Sequence, residues 1–140
     1  MLSIPQQISG IIFSAMNSLK KILYVDDEEI NLDLFRWTFK NQFNVLTALS
    51  AREGLLILKS HDIPVVITDF KMPEMNGIQF IEAIKKNSPE KICIILTGFL
   101  ELVMKDKENL VFNVLAKPWE KKELHQVIQS GFESYQKSAQ

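Results

Sequence analysis

At 140 residues, 46% of them hydrophobic and 24% charged, the chain has the size and composition of one globular domain with a proper core. Its 16 Lys and Arg against 17 Asp and Glu give a net charge of -1 with no basic block, which argues against binding nucleic acid through a phosphate-tracking patch. The single cysteine, Cys93, lies within an apolar run and has no partner for a disulfide, as suits a chain of the reducing cytoplasm.

Residues 1–19 read as an extension. Ile8, Ile11, Ile12 and Ala15 fall at helical spacing and allow a short amphipathic helix against the domain or a partner; a stretch without structure is the other reading, as is a true start at Met16. The longest apolar run there, residues 11–13, is far too short to cross a membrane, and no charged start of a secretory signal precedes it.

From residue 20 to 138 two periods alternate. The runs KILYV (21–25), FNVLTA (43–48), PVVIT (64–68), KICIIL (91–96) and VFNVLA (111–116) are short and mostly uncharged, and predict strands buried on both faces. Between them lie helical spacings: Ile30, Leu34, Trp37; then Ile78, Ile81, Ile84; and last Leu124, Val127, Ile128, Gly131, Tyr135. Five strands alternating with five helices predict parallel βαβ units with right-handed crossovers, an α/β three-layer sandwich. Phe35, Trp37 and Phe39 read as core, since aromatic residues on an amphipathic helix beside a parallel sheet usually are. His61, at a helix end, and His125, on the polar side of the last helix, have no Cys or second His at ligand spacing and read as surface residues.

In an open α/β sheet, ligands bind outside the carboxyl ends of the strands. Strand one ends in Asp26 and Asp27, strand three in Asp69, strand four in Thr97 and strand five in Lys117, whereas strand two ends at Ser50, a plain helix cap. Singly, an Asp at a strand end is usually a cap, Thr-Gly a turn and Lys-Pro a loop. Together at one sheet edge they suit phosphate chemistry. Three converging carboxylates repel one another, and a divalent cation relieves that repulsion; all-oxygen ligands suit Mg²⁺, or Mn²⁺. Glu28 and Glu29 are better read as solvated residues of a helix's positive first turn.

The stretches YVDDEE, VVITDFKMPEMNG, ILTG and LAKPW closely resemble the receiver domain of two-component response regulators, and the resemblance covers roughly residues 20–138. It implies the CheY-like, flavodoxin-like doubly wound (βα)5 sandwich, whose strand order 2-1-3-4-5 is carried over from the family and not read from the residues. It implies that Asp69 accepts a phosphoryl group from a sensor histidine kinase, a phosphotransfer protein or a small phosphodonor. Asp27 and Asp69 would hold Mg²⁺ directly, Asp26 mainly through water, and the backbone carbonyl of Lys71 would complete the set. Thr97 and Lys117 would bind phosphoryl oxygens, with Lys71 and Phe99 flanking them and Pro118 joined to Lys117 by a cis bond. Pro73 would stiffen the loop after the acceptor, and Gly77 would let it turn into the next helix.

Output, by the same resemblance, runs through the helix after strand four, strand five and the helix after it, to a partner, an output domain or a second copy, with no nucleic acid or membrane bound directly. The chain would be no enzyme beyond self-catalysed phosphoryl acceptance and autodephosphorylation. One departure bears on the switch: where many receivers carry an aromatic residue three positions before the lysine, this chain has Val114, with Phe112 two residues earlier. A receiver that binds partners without phosphorylation is the alternative function. A dehalogenase-type phosphohydrolase would need an Asp-x-Asp motif after strand one, and a flavodoxin-type cofactor binder a Ser/Thr-rich or Gly-rich loop there; an acidic loop repels phosphate.

Overall fold

The computed structural model describes residues 5–106 and 109–138. Helix α1 (Gln6–Asn17) precedes β1 (Lys21–Val25), followed by α2 (Glu29–Phe39), β2 (Asn44–Ala48), α3 (Ala51–Ser60) and β3 (Val65–Asp69); then come α4 (Gly77–Asn87), β4 (Ile92–Thr97), α5 (Leu100–Asp106), β5 (Asn113–Ala116) and α6 (Lys121–Ser138). All strand pairs are parallel and the order is β2-β1-β3-β4-β5, as the resemblance implied. Two apolar clusters sandwich the sheet. One joins it to α3, α4 and α5 through residues such as Leu58, Phe80, Ile84 and Val103; the other joins it to α2 and α6 through Phe35, Phe39, Leu124, Ile128 and Phe132. Alternate residues of each central strand feed the two clusters, Leu23 and Val25 one and Ile22 and Tyr24 the other, because successive side chains of a strand point to opposite faces.

Every predicted strand is present, with boundaries shifted by at most two residues. Burial differs at the edges. β1 and β4 are buried almost throughout, but β2 is half-buried for four of its five residues and β5 is open at both ends. An edge strand lacks a neighbour on one side, so the expectation of burial on both faces holds only for the central three.

Helix α2 corrects a second expectation. Ile30, Leu34 and Trp37 are 75, 56 and 72% exposed, while Leu32, Phe35 and Phe39 form the buried stripe. Both triplets have helical spacing, so spacing cannot choose between them. The choice falls to the partners: Phe35 stacks on Tyr24 of β1 at 4.4 Å between ring centroids, and Phe39 meets Phe43 and Trp119. Trp37 instead lies under the ammonium of Lys40, 3.7 Å from the ring centroid. Trp37→Lys is therefore expected to change the unfolding free energy by no more than about 0.5 kcal/mol in urea titration, the range of surface substitutions; a loss typical of the core would restore the original reading.

His125 also departs from its expected surface position. It is half-buried, its ring 5.5 Å from that of Phe43, whereas His61 is exposed at the end of α3. Ser50 caps α3 as predicted, accepting the Glu53 amide, and Cys93 is buried in β4, where burial pushes its thiol up to about 12. Helix α1 falls within residues 1–19, with Ile8 and Ile11 exposed; the side chains of Ile12 and Ala15 lie outside the described residues, as do residues 107 and 108 after α5. Among the described residues no helix is long and apolar enough to cross a membrane.

Candidate functional site

The carboxyl ends of β1, β3 and β5 open into one cleft of about 600 Å³, lined among others by Asp27, Asn31, Asp69, Lys71, Phe99 and Lys117. Parallel strands put all their carboxyl ends on one edge, so residues far apart in sequence meet there. Oxygen atoms of Asp26, Asp27 and Asp69 lie within 4.8 Å of one another.

The three acids have different surroundings. Asp26 is fully buried with four donors: Oδ2 accepts from the Tyr24 hydroxyl at 2.6 Å, Lys117 Nζ at 2.9 Å and Asn31 Nδ2 at 3.2 Å, and Oδ1 accepts the Glu28 amide at 3.0 Å. Asp27 is exposed and has no hydrogen bond or ion pair among the described residues. Asp69 is intermediate. Its Oδ1 accepts the Phe70 amide at 2.8 Å and faces Lys117 Nζ at 3.3 Å, and among the described residues its Oδ2 accepts nothing.

Electrostatics follow from this arrangement. Burial holds the Asp69 carboxyl above its ordinary pKa; Lys117 pulls it down, and the Asp26 charge pushes it up again. Burial alone would lower the Lys117 ammonium, but its hydrogen bond to Asp26 and the charges of Asp69 and Asp26 outweigh that, and its value is raised. Burial raises the Tyr24 phenol strongly, with the bond to Asp26 adding to it, so Tyr24 stays a neutral donor.

The loop after Asp69 is held from both ends. Glu74 has φ of 68°, and the Met75 amide donates to the Pro73 carbonyl at 2.7 Å, a three-residue turn. Asn76 and Gln79 then form a capping box that starts α4. The Gly77 amide donates to the Phe70 carbonyl at 2.7 Å, and a Cβ on Gly77 would lie 2.5 Å from the Asp69 carbonyl oxygen. That approach gives the predicted glycine its reason. The Lys71 carbonyl, by contrast, accepts no hydrogen bond among the described residues.

Of the remaining predicted residues, Lys71 and Phe99 do flank the cleft, the Lys71 ammonium 5.1 Å from the Phe99 ring centroid. Thr97 is fully buried, its Oγ1 accepting the Phe99 amide at 2.8 Å, and the cleft wall is made by Gly98 and Phe99 instead. The Lys117-Pro118 bond is cis, and Pro118 lies outside this cleft, lining a neighbouring one with Tyr24, Leu34 and Trp119. Two residues that sequence reasoning missed are Tyr24 and Asn31. Tyr24 sits two residues before Asp26, a spacing that places both on one face of a strand, and Asn31, in the first turn of α2, donates back to Asp26.

The model of the response regulator receiver domain matches residues 22–129. The chain belongs to this family. Among relatives, this receiver is 35% identical over 115 residues to the transcriptional regulatory protein GlrR of Escherichia coli, covering 80% of this chain and 26% of that protein. It is 32% identical over 121 residues to a probable chemotaxis protein CheY of Rhizobium etli, covering 80% and 92% respectively. Among solved structures, a response regulator receiver domain protein from Clostridium thermocellum superposes with a TM-score of 0.77 at 36% identity, covering 82% of this chain and 95% of that one. The receiver thus spans about a quarter of the length of GlrR and nearly all of the CheY relative. It is the receiver domain of a two-component response regulator, and its acidic cluster is of the kind with which the family binds Mg²⁺.

Proposed function

We propose that Asp69 is the phosphoacceptor of this receiver, taking a phosphoryl group from a phosphohistidine of a sensor kinase or phosphotransfer protein, or from a small phosphodonor. The observation that carries this is the asymmetry of the three acids. Only Asp69 combines an oxygen fixed by a backbone amide and a lysine with a second oxygen left free in the cleft. In the transfer, Oδ2 would form the new bond to phosphorus as the bond to the donor breaks, and the donor leaves with that electron pair. Phosphoryl transfer asks the protein mainly for positioning and charge neutralisation. Lys117, already between Asp69 and Asp26, would pair with a phosphoryl oxygen, and Thr97 would turn its hydroxyl to another.

The donor set also fits a hard divalent cation. Asp27 and the Lys71 carbonyl are oxygens without other partners among the described residues, and together with the Asp69 carboxylate they would hold Mg²⁺. Asp26, its oxygens already bonded, would act on the ion through water. The ion would supply neutralisation of the gathered negative charge. Incubation with acetyl phosphate should add one phosphoryl group to the intact mass, dependent on Mg²⁺ and absent from Asp69→Ala. No gain in the native chain, or an equal gain in the variant, would overturn the assignment.

Switching would pass from Thr97 to α5, whose first residue lies three positions on. Burial of Thr97 supports this, since binding a phosphoryl oxygen requires its loop to move. Val114 is buried in the core, so the readout here runs through the Thr97 loop and α5 and not through an aromatic side chain at that position. The exposed Leu100 and Met104, one turn apart on α5, and Phe112 just before β5 would offer apolar surface to an output partner, an output domain or a second copy. The Lys71–Phe99 pair roofs the cleft and would hinder a water attacking phospho-Asp69. The double variant Lys71→Ala, Phe99→Ala is expected to lose its phosphoryl group several-fold faster in a mass-spectrometric decay series; equal rates would remove the roof from the account.

A further inference from the structure

At the opposite edge of the sheet, α3 and α4 end side by side and leave a groove of about 380 Å³ between them, large enough for a small molecule. Its walls are apolar, from Leu55, Leu58, Ala83 and Ile84, and its lining also carries the exposed Lys59 and Lys86 and the buried Lys91. No carboxylate lines it. Among the described residues none of these three lysines takes part in an ion pair, although Asp62 and Glu90 are close in sequence.

A cation near a helix C-terminus ordinarily answers the helix dipole, and Lys59 and Lys86, in the last turns of α3 and α4, do that. Lys85 has a local task too, donating to the carbonyls of Pro89 and Lys91 and so fastening the turn into β4. Lys91 is different. It is 7% exposed, and its ammonium, with three donors, has one acceptor among the described residues, the Ile63 carbonyl at 2.6 Å. A buried charge calls for a counter-charge or further hydrogen bonds. The groove thus combines apolar walls, a buried lysine in its lining and two exposed cations, Lys59 and Lys86.

We propose that the α3–α4 groove binds a small amphiphilic carboxylate, its apolar chain between Leu55, Leu58 and Ile84 and its carboxylate among Lys59, Lys86 and Lys91. The site is separate from the Asp69 cleft and does not depend on the reading of that cleft. Such a ligand would bridge two helices that cover the same face of the sheet, one of which begins beside the loop that follows Asp69.

The test is an amide NMR titration of the full chain with octanoate, with octan-1-ol as the neutral probe of equal length. Octanoate should shift the amides of Leu55, Leu58, Ala83 and Ile84 saturably, and octan-1-ol should bind about tenfold more weakly. The variant Lys59→Gln, Lys86→Gln changes only exposed side chains and should weaken octanoate by a similar factor, while Ala83→Trp, filling the groove, should abolish the shifts at an unchanged Tm. No saturable shifts below the micelle-forming concentration, shifts centred elsewhere, or equal binding of octanoate and octan-1-ol would each overturn the proposal.

Discussion

Replacing Lys117 with Met is expected to slow phosphorylation of Asp69 by about 10²- to 10³-fold, the usual cost of removing one positioned group that neutralises charge in a transition state. One ammonium sits 2.9 Å from Asp26 and 3.3 Å from Asp69, and no other cation pairs with either acid among the described residues. Its loss leaves two buried or half-buried carboxylates facing each other. The same variant predicts a titration. The Asp69 carboxyl is raised by burial and by Asp26 and lowered by Lys117, so removing the lysine should move its midpoint further up.

The sign for stability follows from the same shifts. A carboxyl whose folded pKa is raised favours the fold most below its ordinary value, and that contribution is lost as pH rises through the folded value. Lys117, also raised, contributes fully below its ordinary value, and its contribution is lost only as pH rises through its own elevated folded pKa. Carbon-13 shifts of the Asp69 carboxyl in the Mg²⁺-free protein would follow the midpoint directly. An unmoved midpoint in Lys117→Met, with phosphorylation unimpaired, would mean that the ion pair does not control the acceptor.

Gly77→Val should destabilise the domain by about 3 kcal/mol, at the upper end of overpacking costs, and lower the Tm by about 10 °C. The first added atom, Cβ, would stand 2.5 Å from the Asp69 carbonyl oxygen and 3.0 Å from the Phe70 Cα, both backbone atoms that cannot swing aside. Relief requires the loop 70–76 to move away from α4. That would break the bond from the Gly77 amide to the Phe70 carbonyl and displace Lys71, so phosphorylation should fall along with stability. Thermal unfolding by circular dichroism checks the first effect and intact mass with acetyl phosphate the second. A wild-type Tm would show that the loop yields without cost.

Much of this receiver could be read from single stretches. The runs KILYV and KICIIL read as strands because they are short, rich in β-branched residues and uncharged after their first lysine. The acids, the threonine and the lysine at the strand ends were legible because parallel strands bring all their carboxyl ends to one edge. The strand order was legible only through resemblance, since no residue of β2 states whether it lies beside β1 or beyond β3.

Rotation and depth were decided elsewhere. Ile30, Leu34, Trp37 and Leu32, Phe35, Phe39 are equally good helical stripes, and only contact with Tyr24, Phe43 and Trp119 selects the second. His125 looks polar in sequence and is drawn inward by the ring of Phe43. Asp26 and Asp27 are neighbours of the same type, yet one is buried with four donors and the other exposed with none, because adjacent residues leaving a strand point to opposite sides. Local pattern sets which chemical groups reach the cleft, since strand type and strand ends follow from it. Which oxygen stays free, which helix face is dry and which lysine is buried were decided by the tertiary structure alone, because each depends on neighbours that are distant along the chain.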